Sequence, residues 1–131
     1  MDLDLFASYF TTHLHIHALV YDNRCFGSSD GSPRFEIIPS LQMSDIQDSI
    51  TFAQTLPEID PTRMAIWGSS YSGGHVLQVG AFDRRVKAVL SQSPFVSGIE
   101  AGNRLMGPIK MPFFREIFAA GNPPTIALGG V

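Results

Sequence analysis

The stretch Ile66-Trp67-Gly68-Ser69-Ser70-Tyr71-Ser72-Gly73-Gly74-His75 constrains the chain more than any other. It joins a short apolar run, Met64-Ala65-Ile66-Trp67, suited to a strand buried on both faces, to a helical pattern over 71–82. A strand that passes into a helix within so few residues must turn sharply, and side chains caught between the two must be small. Gly68 stands two before Ser70, and Gly73 and Gly74 follow within one helical turn. Such a turn lifts Ser70 above the carboxyl end of the sheet, as a nucleophile requires: it must project, and keep a base within hydrogen-bond reach. The start of the helix favours negative charge, and the Tyr71 N–H would donate to an oxyanion. Ser69 and Ser72 are rival hydroxyls. Ser70 is preferred for the glycines two before and three after it. A turn that merely joins strand to helix is the plainer alternative, and it falls behind because both flanking elements are where the turn needs them.

Around this turn helix and strand patterns alternate, as in a mostly parallel sheet with helices on both faces. Leu3, Phe6 and Phe10 share one face of a helix expected over about 2–11. The apolar run His17-Ala18-Leu19-Val20-Tyr21 reads as a buried strand, and residues 22–33 as a loop rich in Gly, Ser, Asp and Asn. Ile46, Ile50, Ala53 and Leu56 recur at helical spacing. They predict a helix from about 41 or 44 to 56, with a Ser44–Gln47 capping box and Pro57 beyond its end. Residues 60–63 form a turn and 86–90 a further strand. After Pro94 the pattern becomes irregular, with a last helix expected over 112–120 between Pro112 and Gly121.

A length of 131 residues bounds the chain to one domain. Nine basic and twelve acidic residues, with no run of like charge, argue against a nucleic-acid partner. Cys25 is the only cysteine, which excludes an intrachain disulfide framework. The acidic start Met1-Asp2-Leu3-Asp4 is unlike a signal peptide, and no apolar run approaches the roughly 20 residues of a membrane span. A cytoplasmic location, with no membrane partner and no cofactor, is the expectation.

The loop Tyr21-Asp22-Asn23-Arg24-Cys25-Phe26-Gly27-Ser28-Ser29-Asp30-Gly31 resembles the Asp-x-Arg-Gly-x-Gly-x-Ser loop after the fourth strand of many α/β-hydrolases. Asp60-Pro61-Thr62-Arg63, the Ser70 turn and Arg84-Arg85-Val86-Lys87-Ala88-Val89 continue the likeness in order. The combination Gly-x-Ser-Tyr-x-Gly is similar to the Xaa-Pro dipeptidyl-peptidase-like and cocaine-esterase-like branch. The wider pattern through Ser91-Gln92-Ser93-Pro94 resembles fungal hydrolases grouped with polyketide transferases. The resemblance implies a partial α/β-hydrolase fold in three layers. Residues 1–98 would be its central part and 99–131 the start of a cap. It implies an acyl-enzyme mechanism on an ester, thioester or amide, with a small acyl compound as substrate. Cys25 stands where the loop usually has Gly; a left-handed backbone there would cost roughly 1–2 kcal/mol. For its side chain, a small inert filler is favoured over a reactive thiol.

In that family the triad runs Ser, then Asp or Glu, then His along the chain. His75 follows Ser70 within the same helix and points away from it, so a packed histidine is the better reading. Asp83, expected to solvate a loop, Glu100 and Glu116 lie at no convincing strand end. The acid and the base histidine are therefore expected to lie outside this chain, which should be nearly inactive alone. Asp22 is expected to accept hydrogen bonds from its loop. His13, His15 and His17 alternate along what would be an extended segment, so a metal module is a weaker alternative, and no metal is assigned. The family's strand before the first helix is likewise expected to lie outside this chain, which would leave a gap of roughly 10 Å between the strands at 17–21 and 64–67. Either those two strands pair directly or the sheet is open. Marginal stability follows, unless a partner or a second copy completes the sheet. A non-catalytic remnant or partner-dependent fragment is the rival reading.

Overall fold

The computed structural model describes residues 3–119, which divide into two compact units after Pro94. In chain order the first unit holds α1 (Leu3–Leu14), α2 (Pro39–Ala53), β1 (Met64–Ser69), α3 (Tyr71–Phe82) and β2 (Val86–Gln92). The second holds α4 (Gly98–Ala119).

Strands β1 and β2 pair in parallel, from Met64 opposite Val86 to Ser69 opposite Gln92. A register shift after Met64 leaves Lys87 as an extra residue, so Val86 and Val89 reach the same face despite their odd spacing. On that face α2 and α3 pack, and the core consists of Ile46, Ile50, Val76 and Val79, flanked by Met43, Met64, Ile66 and Val86. Gly80 lets α3 approach closely, since a Cβ there would stand 2.3 Å from Val89 Cγ2. Alternation along β1 turns Trp67 to the opposite face, where the Phe6 ring of α1 meets it at 5.0 Å and Phe10 at 6.3 Å. Helices thus lie on both faces of the parallel pair.

Two arginines bind the loops to α2. Arg24 donates its backbone N–H and its Nε to Asp45, at 2.9 and 2.6 Å. Arg85 forms an ion pair with Asp83 at 2.6 Å, and donates to Thr51 Oγ1 at 2.7 Å and to the Gln47 carbonyl at 3.3 Å. Asp83 accepts the Arg85 backbone N–H at 3.0 Å, as expected of a residue that solvates this loop, and is in addition a buried ion-pair partner. Asp22 does accept the Ser28 N–H, at 2.9 Å. Cys25 has φ 69° and is buried, so the left-handed backbone is real and a non-glycine occupies it.

The structure corrects several element assignments. Residues 17–21 form no strand. Strand structure requires a neighbour to take up the backbone groups, and the sheet of the described residues contains only β1 and β2. Leu19 and Val20 are exposed, not buried on two faces. Helix α1 runs to Leu14, beyond the expected end near residue 11. Helix α2 starts at Pro39 with Ile38 as its extended N-cap, because proline's fixed φ suits the first helical position. Ser44 consequently lies inside the helix and forms no capping box, and α2 ends at Ala53 rather than 56. Helix α4 starts at Gly98, where the Ser97 hydroxyl caps it by accepting the Glu100 N–H at 3.2 Å, and the expected last helix is its second part, beyond Gly107. Gly107, with φ 68°, interrupts it. Gly121 lies outside the described residues.

Candidate active site

A single residue separates β1 from α3. Ser70 has φ 55° and ψ −115°, a conformation that L-residues avoid and that persists only where the surroundings enforce it. Here they do. The Ser70 N–H donates to the Gln92 carbonyl at the end of β2, at 2.9 Å, and the Gly74 N–H donates to the Ser70 carbonyl at 3.3 Å. The Ser72 hydroxyl accepts the Ser69 N–H at 3.0 Å and donates to the Ser69 carbonyl at 2.9 Å. Ser91 Oγ donates to the Gly73 carbonyl at 2.9 Å, fastening the first turn of α3 to β2.

The backbone leaves no room for a Cβ at Gly68 and little at Gly73. A Cβ on Gly68 would meet the Ser72 carbonyl oxygen at 2.5 Å, and one on Gly73 would lie 3.1 Å from Pro94 Cα and 3.2 Å from the Gln92 carbonyl. The expected roles of Gly68 and Gly73 as spacers therefore have a geometric basis. Gly74 serves through its N–H. Ser70 is exposed at the carboxyl end of the strand and spends no side-chain hydrogen bond on capping α3. Ser72, its rival, has its hydroxyl committed to Ser69. Tyr71 is the first residue of α3, so its N–H belongs to the helical turn whose dipole favours an anion.

The histidines go elsewhere. His75 is buried in α3 with its ring edge-on to Tyr71 at 4.6 Å, and burial pushes its imidazole below the ordinary value, toward the neutral form. His13 lies in the last turn of α1, stacked on Tyr9 at 4.2 Å with Nδ1 3.1 Å from the Tyr9 carbonyl oxygen. His15 follows at φ 54°. The three histidines therefore do not alternate along one strand, which removes the geometry on which a metal module depended. Among the described residues no group of three His, Cys, Asp or Glu side chains could hold a metal ion. Glu100 sits in the first turn of α4 and Glu116 is exposed on the same helix. Among the described residues no helix is long and apolar enough to cross a membrane.

Sequence reasoning missed the bracing residues. Ser72 entered only as a rival nucleophile, although a serine three residues after Ser69 is a known local hydrogen-bonding spacing. Ser91 and Gln92 are joined to the turn only through sheet pairing, which no local pattern announces.

The family model for acetyl xylan esterase (AXE1) matches residues 42–106. A quorum-quenching protein AidA of Acinetobacter baumannii is 42% identical over 109 residues, covering 83% of this chain and 35% of that protein. A thiohydrolase, apmlB, of Arthrinium phaeospermum is 48% identical over 79 residues, covering 60% of this chain and 26% of that one. The crystal structure of the α/β-hydrolase GrgF from Penicillium sp. sh18 superimposes with a TM-score of 0.67 at 28% identity, over 93% of this chain and 42% of that structure. The chain thus spans about a quarter to a third of the length of these two relatives. The parallel pair, its helices and the tight turn at Ser70, together with these likenesses, put the chain in the α/β-hydrolase superfamily, with part of that fold.

Proposed function

We propose that Ser70 is the nucleophile of a serine hydrolase that cleaves an acyl ester or thioester. The observation that carries this is the strained φ of 55° at a single exposed serine between strand and helix. Strain of that kind is retained where it aims a side chain at chemistry. In the first half of the reaction a bond forms between Ser70 Oγ and the carbonyl carbon, and the carbonyl π pair moves to its oxygen. The hydroxyl proton passes to a base. Collapse of the tetrahedral species expels the thiolate or alkoxide, which takes that proton, and water then releases the acid by the same two steps. The Tyr71 N–H at the start of α3 would donate to the transient oxyanion.

The acyl class follows from chemistry named in the relatives, a thiohydrolase and an acetyl xylan esterase family. These favour an ester or thioester over the Xaa-Pro amide suggested by Gly-x-Ser-Tyr-x-Gly. This reading assigns the base to no histidine of the chain, so turnover should fall several orders of magnitude below that of a complete triad. An activated acyl thioester and an activated ester, incubated with the chain, test the proposal. Slow release of about one equivalent, absent in Ser70→Ala, is expected. Release that Ser70→Ala leaves unchanged overturns it.

A second reading is favoured by the open sheet. Residues 15–22 carry no ladder and Leu19, Val20 and Leu90 are exposed, so a partner or second copy would complete the sheet. Native size measurement distinguishes the two, since this reading requires an assembly larger than the monomer.

A further inference from the structure

We infer that Ser72 is a positioning residue for Ser70: its hydroxyl clips the Ser69 backbone and holds the peptide plane that sets the left-handed turn. The inference rests on Ser70 as nucleophile. Ser72 Oγ accepts the Ser69 N–H at 3.0 Å and donates to the Ser69 carbonyl at 2.9 Å, so one hydroxyl grips the residue at both ends. The second bond matters most. The Ser69 carbonyl and the Ser70 N–H belong to the same planar peptide unit. Its oxygen end is held by Ser72, and its N–H end by the Gln92 carbonyl at 2.9 Å. A plane fastened at both ends cannot rotate, and its orientation is what φ of Ser70 measures.

The neighbours agree with this role. Gly68 leaves room for the Ser72 backbone, where a Cβ would meet the carbonyl oxygen at 2.5 Å. Ser72 itself is exposed, so its side chain contributes no core packing whose loss would imitate a positioning defect. It also stands at the second-glycine position of Gly-x-Ser-x-Gly, and a glycine there would lack the clip.

The test pairs amide hydrogen exchange at Ser69 with the rate at which a fluorophosphonate labels Ser70, in the unchanged chain and in Ser72→Ala, Ser72→Gly and Ser72→Thr. Loss of the clip should speed Ser69 exchange and slow Ser70 labelling by roughly tenfold each in the Ala and Gly variants, the scale of a net hydrogen-bond contribution. Ser72→Thr, which keeps the hydroxyl, should recover most of both. Circular dichroism should show all variants folded. Unchanged Ser69 exchange in Ser72→Ala overturns the clip. Faster exchange with unchanged labelling overturns the positioning role while Ser70 stands as nucleophile. Labelling of the unchanged chain that Ser70→Ala does not reduce overturns the nucleophile reading, and the positioning role with it.

Discussion

Gly68 and Ser72 touch backbone to backbone: a Cβ on Gly68 would stand 2.5 Å from the Ser72 carbonyl oxygen and 2.7 Å from its carbonyl carbon. Neither atom can swing aside as a flexible side chain would, so the strand and the helix must separate if position 68 gains a methyl group. Gly68→Ala should therefore destabilise the chain by about 1–3 kcal/mol, the usual cost of overpacking, and disturb the turn between them. Urea titration measures the first effect and loss of fluorophosphonate labelling the second. An unaltered midpoint would show that the elements part freely.

Asp83 and Arg85 carry an acid dependence. The Arg85 guanidinium beside Asp83 holds its carboxyl below the usual carboxylate range. The unfolded chain then takes up this proton first as the pH falls. The ion pair's stabilisation is present above the ordinary aspartate value of about 4, and is lost as pH falls through the lower folded value. Asp60, lowered by its Thr62 hydrogen bonds, acts in the same direction. Unfolding midpoints measured down the acid range should fall, and Asp83→Asn should flatten the fall without abolishing it. An equally steep fall in Asp83→Asn would contradict the assignment.

Tyr21 predicts the opposite limb. Its phenol is pushed up to about 12, chiefly by burial, with Asp45 and Asp48 adding to the rise and a hydrogen bond with Ser49 opposing it. Because the folded value lies above the unfolded one, this contribution is intact below pH of about 10 and is lost as pH rises toward the folded value. Ultraviolet titration should show a late-ionising phenol, and that late phase should vanish in Tyr21→Phe. A late phase that survives the substitution would assign the burial to another tyrosine.

What could be read from the sequence was local. Helix α3 begins and ends where expected, at Tyr71 and Phe82, because a glycine-spaced turn opens it and an apolar periodicity runs through it. The start of α2 escaped because the fixed φ of Pro39 outweighed the side-chain capping expected of Ser44. The run His17-Ala18-Leu19-Val20-Tyr21 has strand composition, yet a strand is a relation between two segments, and the second segment is not written in the run. Asp83 was legible as a loop carboxylate, but not its ion pair, because Arg85's reach across to Thr51 depends on how α2 packs. The site divides in the same way. Ser70 and its glycines are contiguous and legible, whereas the clamps from Ser72, Ser91 and Gln92 appear only once the turn has closed.

Acyl chemistry at the β1–α3 junction requires one particular hydroxyl, that of Ser70, to accept the acyl group. Peptide mapping by mass spectrometry, after the native chain has reacted with a fluorophosphonate, reads this directly. The adduct should form slowly, because no base activates the hydroxyl, and should fall on Ser70 alone, with Ser69 and Ser72 unmodified, and vanish when the chain is denatured beforehand. An adduct on Ser72 or Ser69, or equal labelling of the denatured chain, would contradict it.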